Sequence, residues 1–217
     1  MAVLSNNSRS GASRTPHDQQ HRERGRFARK GRILARCLVF VGIVGASSCL
    51  APPVCAKEFE EYRVKAAFLY NFAKFVEWPA PSFKGPDDPI AICVAGQNPF
   101  GHVLEETVNG KTLEGRSFVV RNLPNALQAG GCHILFVSAS QRKNVDAILE
   151  SIRTPGVLTV GESEGFAMNG GVINFKLDSG KVRFEINPDA AAKAGLSIRS
   201  NLLSLAEIVK KSERNRR

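Results

Sequence analysis

Beyond residue 56 this chain is short of reactive side chains, and the shortages restrict its chemistry before any motif is weighed. Of four histidines only His102 and His133 lie there, and of five cysteines only Cys93 and Cys132. No HxxxH or CxxC spacing is present, so the sequence offers no ligand set for a zinc site. Gly161-Glu162-Ser163-Glu164-Gly165 matches the G-x-S-x-G pattern, but no histidine follows it to act as general base. Asn169-Gly170-Gly171 also stands where a nucleophile elbow needs a helix, so Ser163 reads as part of a glycine-bounded turn. Gly96 to Gly101 lacks both the Gly-Lys-Ser/Thr ending and the full G-x-G-x-x-G series of phosphate loops. The sequence therefore points to no catalytic residue, metal ligand or cofactor site. Repeats and internal linkers are absent too, which favours one domain.

What the chain does have in excess is positive charge, and that excess is unevenly placed. Residues 1–56 hold nine Lys or Arg against Asp18 and Glu23, so 9 − 2 = 7 of the net +10 lies there. The remainder carries only a small surplus with no basic stripe interleaved with aromatics, which argues against nucleic acid as a partner. A basic stretch ending at Arg36, an apolar run Cys37 to Ala46 and the small residues of Val54-Cys55-Ala56 form the anatomy of a secretory signal peptide, with cleavage expected after Ala56. The expected boundaries are a leader over 1–56, one domain over 57–211 and a disordered basic tail over 212–217. The two remaining cysteines then sit in a disulfide-permissive compartment on neighbouring predicted strands. By themselves they fit either a bridge or two separate buried thiols.

Along the domain, Val64, Phe68, Phe72 and Phe75 recur at helical spacing, with Glu61 and Lys65 placed to pair on the outer face and Trp78-Pro79 ending the helix. Short apolar runs at 90–94, 117–121, 133–137 and 157–160 alternate with helical segments, the pattern of parallel strands joined by crossovers. Asn98 before Pro99 reads as a helix cap, as does Asn187 before Pro188, and Ser200 is expected to start a helix with Leu202, Leu205, Ala206 and Val209 buried. His133 reads as a sheet residue with a satisfied ring. The clearest local signal is 166–187: a two-residue turn at Ser179-Gly180 would pair Leu177 with Val182, Phe175 with Phe184 and Ile173 with Ile186 on one face. The expected fold is a single α/β domain, a mixed and mostly parallel sheet of about six strands flanked by helices, ending in a β-hairpin and a helix.

Two candidate sites follow. In open parallel sheets ligands bind outside the carboxyl ends of strands, where this sequence places Gly96, Asn98, Ser138, Ser140, Gly161 and Ser163. A small-ligand sensor using that crevice is one functional expectation. The outer face of the hairpin, with Asn174, Arg183, Glu185 and Asn187, is the candidate surface for a protein partner.

The blocks Val64-Lys65-Ala66-Ala67-Phe68-Leu69-Tyr70-Asn71-Phe72-Ala73-Lys74-Phe75-Val76-Glu77-Trp78-Pro79, Ile92-Cys93-Val94, Gly131 to Ser138, Gly170 to Phe175, Val182 to Asn187 and Leu202 to Ala206 occur in an order that resembles the YfiR-like family of secreted bacterial proteins. The resemblance implies a periplasmic regulator without enzymatic activity. It would bind the periplasmic sensor part of an inner-membrane diguanylate cyclase, repress cyclic-di-GMP synthesis and so influence biofilm formation, and be released by an outer-membrane lipoprotein. Members of this kind can be homodimers. Cys93 and Cys132 match one family cysteine pair, which implies a disulfide between them. The second pair of some members falls in the hairpin region and is missing here.

Overall fold

The computed structural model describes residues 53–124, 129–152 and 155–210. The expected leader up to residue 52 and the tail 212–217 lie outside the described residues. In chain order the elements are α1 (Pro53–Phe75), β1 (Val76–Glu77), β2 (Ile90–Ala95), α2 (Val103–Val108), β3 (Thr112–Leu113), β4 (Arg116–Leu123), β5 (Ile134–Val137), α3 (Val145–Ser151), β6 (Leu158–Gly161), β7 (Ile173–Asp178), β8 (Lys181–Ile186), α4 (Pro188–Lys193), β9 (Ser197–Ile198), α5 (Ser200–Leu203) and β10 (Glu207–Ile208). α1 runs across the expected cleavage position at Ala56; among its described side chains the first buried one is Lys65.

β2, β5 and β6 are buried at every position. A strand can hide apolar groups at successive positions only when both faces are covered, and these three form the centre of the sheet. The sheet has eight strands in the order β10-β8-β7-β6-β5-β2-β4-β3. β4, β2, β5, β6 and β7 run parallel, β8 returns antiparallel to β7, and β10 adds parallel to β8. β1 and β9 form a separate antiparallel pair. The expected α/β class and mixed sheet are present; the extra strands β1, β3, β9 and β10 are two residues each, too short to leave a period in the sequence.

Alternation sorts the core into two layers. Ile92, Val94, Ile134, Phe136, Leu158 and Val160 face α1 and α2, where Leu69, Phe72, Ala73 and Leu104 are fully or almost fully buried. Cys93, Ala95, Leu135 and Val137 face the other side, against Val145 and Ile148 of α3 and the ring of Phe166. Each fully buried Leu, Ile or Phe contributes about 2 kcal/mol of transfer free energy. Cys93 and Cys132 are disulfide-bonded within this second layer, with Cα atoms 5.9 Å apart.

The hairpin has the expected register: Ile173 opposite Ile186, Phe175 opposite Phe184, Leu177 opposite Val182 and Asp178 opposite Lys181. Ser179 and Gly180 both have positive φ, 49° and 76°, as a type I′ turn requires. Three sequence expectations are corrected. On α1 the buried stripe is Lys65, Ala66, Leu69, Phe72 and Ala73, while Val64 is exposed, because the helix rests on the sheet along a face rotated from the phenylalanine stripe. Asn98 does not cap a helix: its Oδ1 accepts from Phe100 N at 2.9 Å and Nδ2 donates to Gly101 O, forming a side-chain turn before α2 begins at Val103. After α5, the chain leaves helical geometry to pair Glu207 and Ile208 with the edge of β8, so Leu205 is exposed and Leu202 is the buried residue of the expected stripe.

Candidate functional site

The order of the sheet reverses around β2, since the chain passes from β2 to β4 on one side and then to β5 on the other. That is a topological switch point, and its carboxyl side collects Gly96, Asn98, Ser138 and Ser140, with Gly161 and Ser163 following β6. At Gly96 the strand end is packed tightly against neighbouring side chains. A Cβ on Gly96 would stand 2.5 Å from Ser140 Oγ and 2.9 Å from Ser138 Oγ. The two hydroxyls are 2.7 Å apart and Gln97 N donates to Ser140 Oγ.

The residue that organises this end is Glu162, the unremarked second position of the G-x-S-x-G match. Its carboxylate accepts from Lys65 Nζ at 2.7 Å, Ala139 N at 2.8 Å and Tyr62 Oη at 3.2 Å. Lys65 also pairs with Glu61 at 2.5 Å, so the expected pair forms, but Lys65 is buried rather than on an outer face. Its ammonium lies 4.5 Å from the Tyr62 ring centroid. Burial, and then the charge of Glu162, push the Tyr62 phenol above its ordinary value. The cluster ties α1 to the strand ends. A lysine at a helix position flanked by Val64 and Ala66 gives little sign in the sequence that it will be buried, because its partner is 97 residues away.

Ser163 is buried and its Oγ has no hydrogen-bond partner. His133, the last histidine, stands before β5 at the opposite end of the sheet. There His133 Nδ1 accepts from Ala91 N at 3.1 Å and Nε2 donates to Ser82 O at 3.0 Å, which fixes a neutral ring. Burial lowers its pKa, the largest influence on it, against a smaller raising effect of the Ser82 carbonyl. Phe83 stacks on the same ring with centroids 4.4 Å apart. Gly161, which opens the motif, and Gly171 beyond it have a packing explanation. A Cβ on Gly161 would lie 2.3 Å from the Phe166 ring, and one on Gly171 would lie 2.1 Å from it, so the ring is clamped between two backbones.

On the hairpin the four candidate partner residues divide. Asn187 is 1 % exposed; its Oδ1 accepts from Ala190 N and caps α4, and its Nδ2 donates to Ala167 O at 2.7 Å. Asn174 is also buried, donating to Glu185 at 3.3 Å. Neither faces a partner: β7 is covered on both faces at Asn174, and Asn187 turns inward to satisfy a helix terminus. Glu185 is half-buried and pairs with Lys176 at 3.5 Å, which also binds Glu207 of β10. Arg183 is exposed, as are Leu177, Asp178, Ser179, Gly180 and Lys181 at the hairpin's end. Among the described residues no helix is long and apolar enough to cross a membrane, and no group of three acidic, histidine or cysteine residues is placed to hold a metal.

Two solved structures share part of the arrangement. One is a conserved domain protein from Vibrio cholerae, 11% identical with a TM-score of 0.47, covering 69% of this chain and 60% of that one. The other is the ABC domain, in complex with L-Trp, from Streptococcus pneumoniae, 11% identical with a TM-score of 0.46, covering 66% of this chain. The chain thus spans 60% of the length of each of these two structures. No curated protein matches it. The profile of the YfiR/HmsC-like family matches residues 62–207, from the tyrosine that meets Glu162 to the glutamate of the last strand. With more than half its length inside that match, the chain belongs to the YfiR/HmsC-like family.

Proposed function

We propose that the protein is a periplasmic regulator, without catalytic activity of its own, that binds the periplasmic sensor part of an inner-membrane diguanylate cyclase and represses cyclic-di-GMP synthesis. Membership of the YfiR/HmsC-like family supports a regulatory role in cyclic-di-GMP signalling. In this reading the leader is removed after Ala56, and an outer-membrane lipoprotein relieves repression by capturing the protein. The observation that carries the partner surface is the end of the hairpin. Leu177 is 54 % exposed on one face of the hairpin, Lys181 and Arg183 are exposed on the other, and β10 covers the edge of β8 only at Glu185 and Ile186. A hairpin end exposed on both faces, apolar on one and basic on the other, with an incompletely paired strand edge, is a surface suited to a protein partner. Arg183 is kept from the sequence expectation, Leu177 is added, and the buried Asn174 and Asn187 leave the assignment.

The test is complementation in the parent bacterium. Deleting the gene should raise cellular cyclic-di-GMP, and the unaltered protein should lower it again. Arg183→Glu and Leu177→Asp should reach the periplasm in equal amount and melt at the same temperature, yet fail to restore repression. Full repression by both variants would remove the hairpin surface; unchanged cyclic-di-GMP on deletion would remove the repressor role itself.

A further inference from the structure

The amino-terminal ends of the parallel strands enclose a cavity. A cavity of about 300 Å3 opens between the end of α1, the turn joining β3 to β4 and the start of β2. This is the small end of the range of about 300–1,000 Å3 for ligand pockets. Trp78, Ile90 and Leu113 give it an apolar wall.

Its charges do not cancel. Arg199 and Glu77 neutralise each other at 3.1 Å. Arg116 has no carboxylate partner among the described residues. Its Nη1 donates to the carbonyls of Gly85 at 2.7 Å and Asp88 at 3.0 Å, and its guanidinium carbon lies 3.9 Å from the Phe83 ring centroid. Those contacts fix the guanidinium in place without matching its charge, and Nε and Nη2 find no acceptor among the described residues. Lys74 similarly donates to Asn71 Oδ1 at 3.2 Å and rests over the Tyr70 ring, with no carboxylate beside it. Glu114 supplies one negative charge to the wall. Two cations against one carboxylate leave a surplus of one positive charge in a partly enclosed, partly apolar space. A guanidinium held rigid and half-buried without a counter-ion is suited to a planar anion.

We propose that this cavity binds a small organic monocarboxylate, its carboxylate held by Arg116 and Lys74 and its apolar body lying against Trp78, Ile90 and Leu113. Glu114 sets the preference for one negative charge over two. The site lies away from the hairpin end and does not depend on the repressor role.

Trp78 is the single tryptophan of the chain, so its fluorescence reports directly on the cavity wall. Hexanoate titrated into the purified protein should change Trp78 emission saturably below about 10 mM, with the isosteric hexanamide at least about tenfold weaker. Lys74→Gln should weaken hexanoate binding and Glu114→Gln should tighten it, both with unchanged melting temperature. Arg116→Gln should abolish binding, and because it also frees the loop carbonyls, the Lys74 and Glu114 variants decide the matter if it fails to fold. The proposal is overturned if Trp78 emission does not saturate with hexanoate, if hexanamide or hexylamine binds as well as hexanoate, or if neither the Lys74 nor the Glu114 variant shifts the affinity in the stated direction.

Discussion

At the scale of single residues, the most consequential side chain is Lys65, 4 % exposed and held by Glu61 and Glu162. Removing one partner of a buried ion pair strands the other charge, at a cost of about 3–5 kcal/mol. Lys65→Met should therefore lower the denaturation midpoint strongly, and adding Glu162→Gln should recover much of the loss, because the surviving group is no longer charged. If the double variant is as unstable as the sum of the singles, the pair is not the coupled unit described here. His133 gives a pH dependence with a definite sign. Its folded pKa lies below the ordinary 6.5, so between the two values the unfolded chain binds more protons than the folded one. Stability should thus fall as pH drops below about 6.5. Urea melts between pH 7 and pH 5 should show that fall, and His133→Gln should remove part of it; a rise in stability over this interval would contradict the assignment.

At the scale of elements, the hairpin is specified locally and should behave so. Its turn places Ser179 and Gly180 at positive φ, a conformation that costs an ordinary side chain about 1 kcal/mol and favours asparagine over serine at the first position. Gly180→Ala is expected to destabilise by about that amount and Ser179→Asn to stabilise by a few tenths of a kcal/mol, both read from thermal or urea unfolding. The residues 161–171 behave differently, because Gly161 and Gly171 are demanded by the distant ring of Phe166 rather than by a turn. Gly161→Ala should cost more than Gly180→Ala, and the restoring change Gly161→Ala with Phe166→Leu should recover stability. The helix expected at the end of the chain stopped after α5 because the edge of β8 offered hydrogen bonds that a solvated helix did not: Val209 N donates to Ile186 O at 2.9 Å.

At the scale of the whole molecule, the Cys93–Cys132 bridge joins a central strand to the approach of its neighbour across a sequence separation of 39 residues. In the chain-entropy picture, closing such a loop stabilises by about 4 kcal/mol. Reduction under native conditions should lower the melting temperature without abolishing the fold, since the bonded sulfurs lie in the smaller of the two core layers and the larger layer under α1 contains neither. Unfolding on reduction alone would mean that the larger layer cannot sustain the sheet.

The residues themselves determined whatever depends on near neighbours or on period. Ile173 to Ile186 set their own register by alternation around a two-residue turn, Asn187-Pro188 set the start of α4, and the unbroken apolar run of β2 marked it as a strand buried on both faces. The bridge was open from those residues alone, and the family resemblance supplied its pairing before the structure placed the two cysteines together. Only the tertiary structure decided which groups meet across long separations. Tyr62 and Lys65 reach Glu162 over 100 and 97 residues and tie α1 to the strand ends, while Lys74, Trp78 and Arg116 converge on a cavity at the other end. No spacing encodes those meetings, because contact between distant segments is fixed by how the helices lie on the sheet, and a charged residue shows its burial only when its partner arrives.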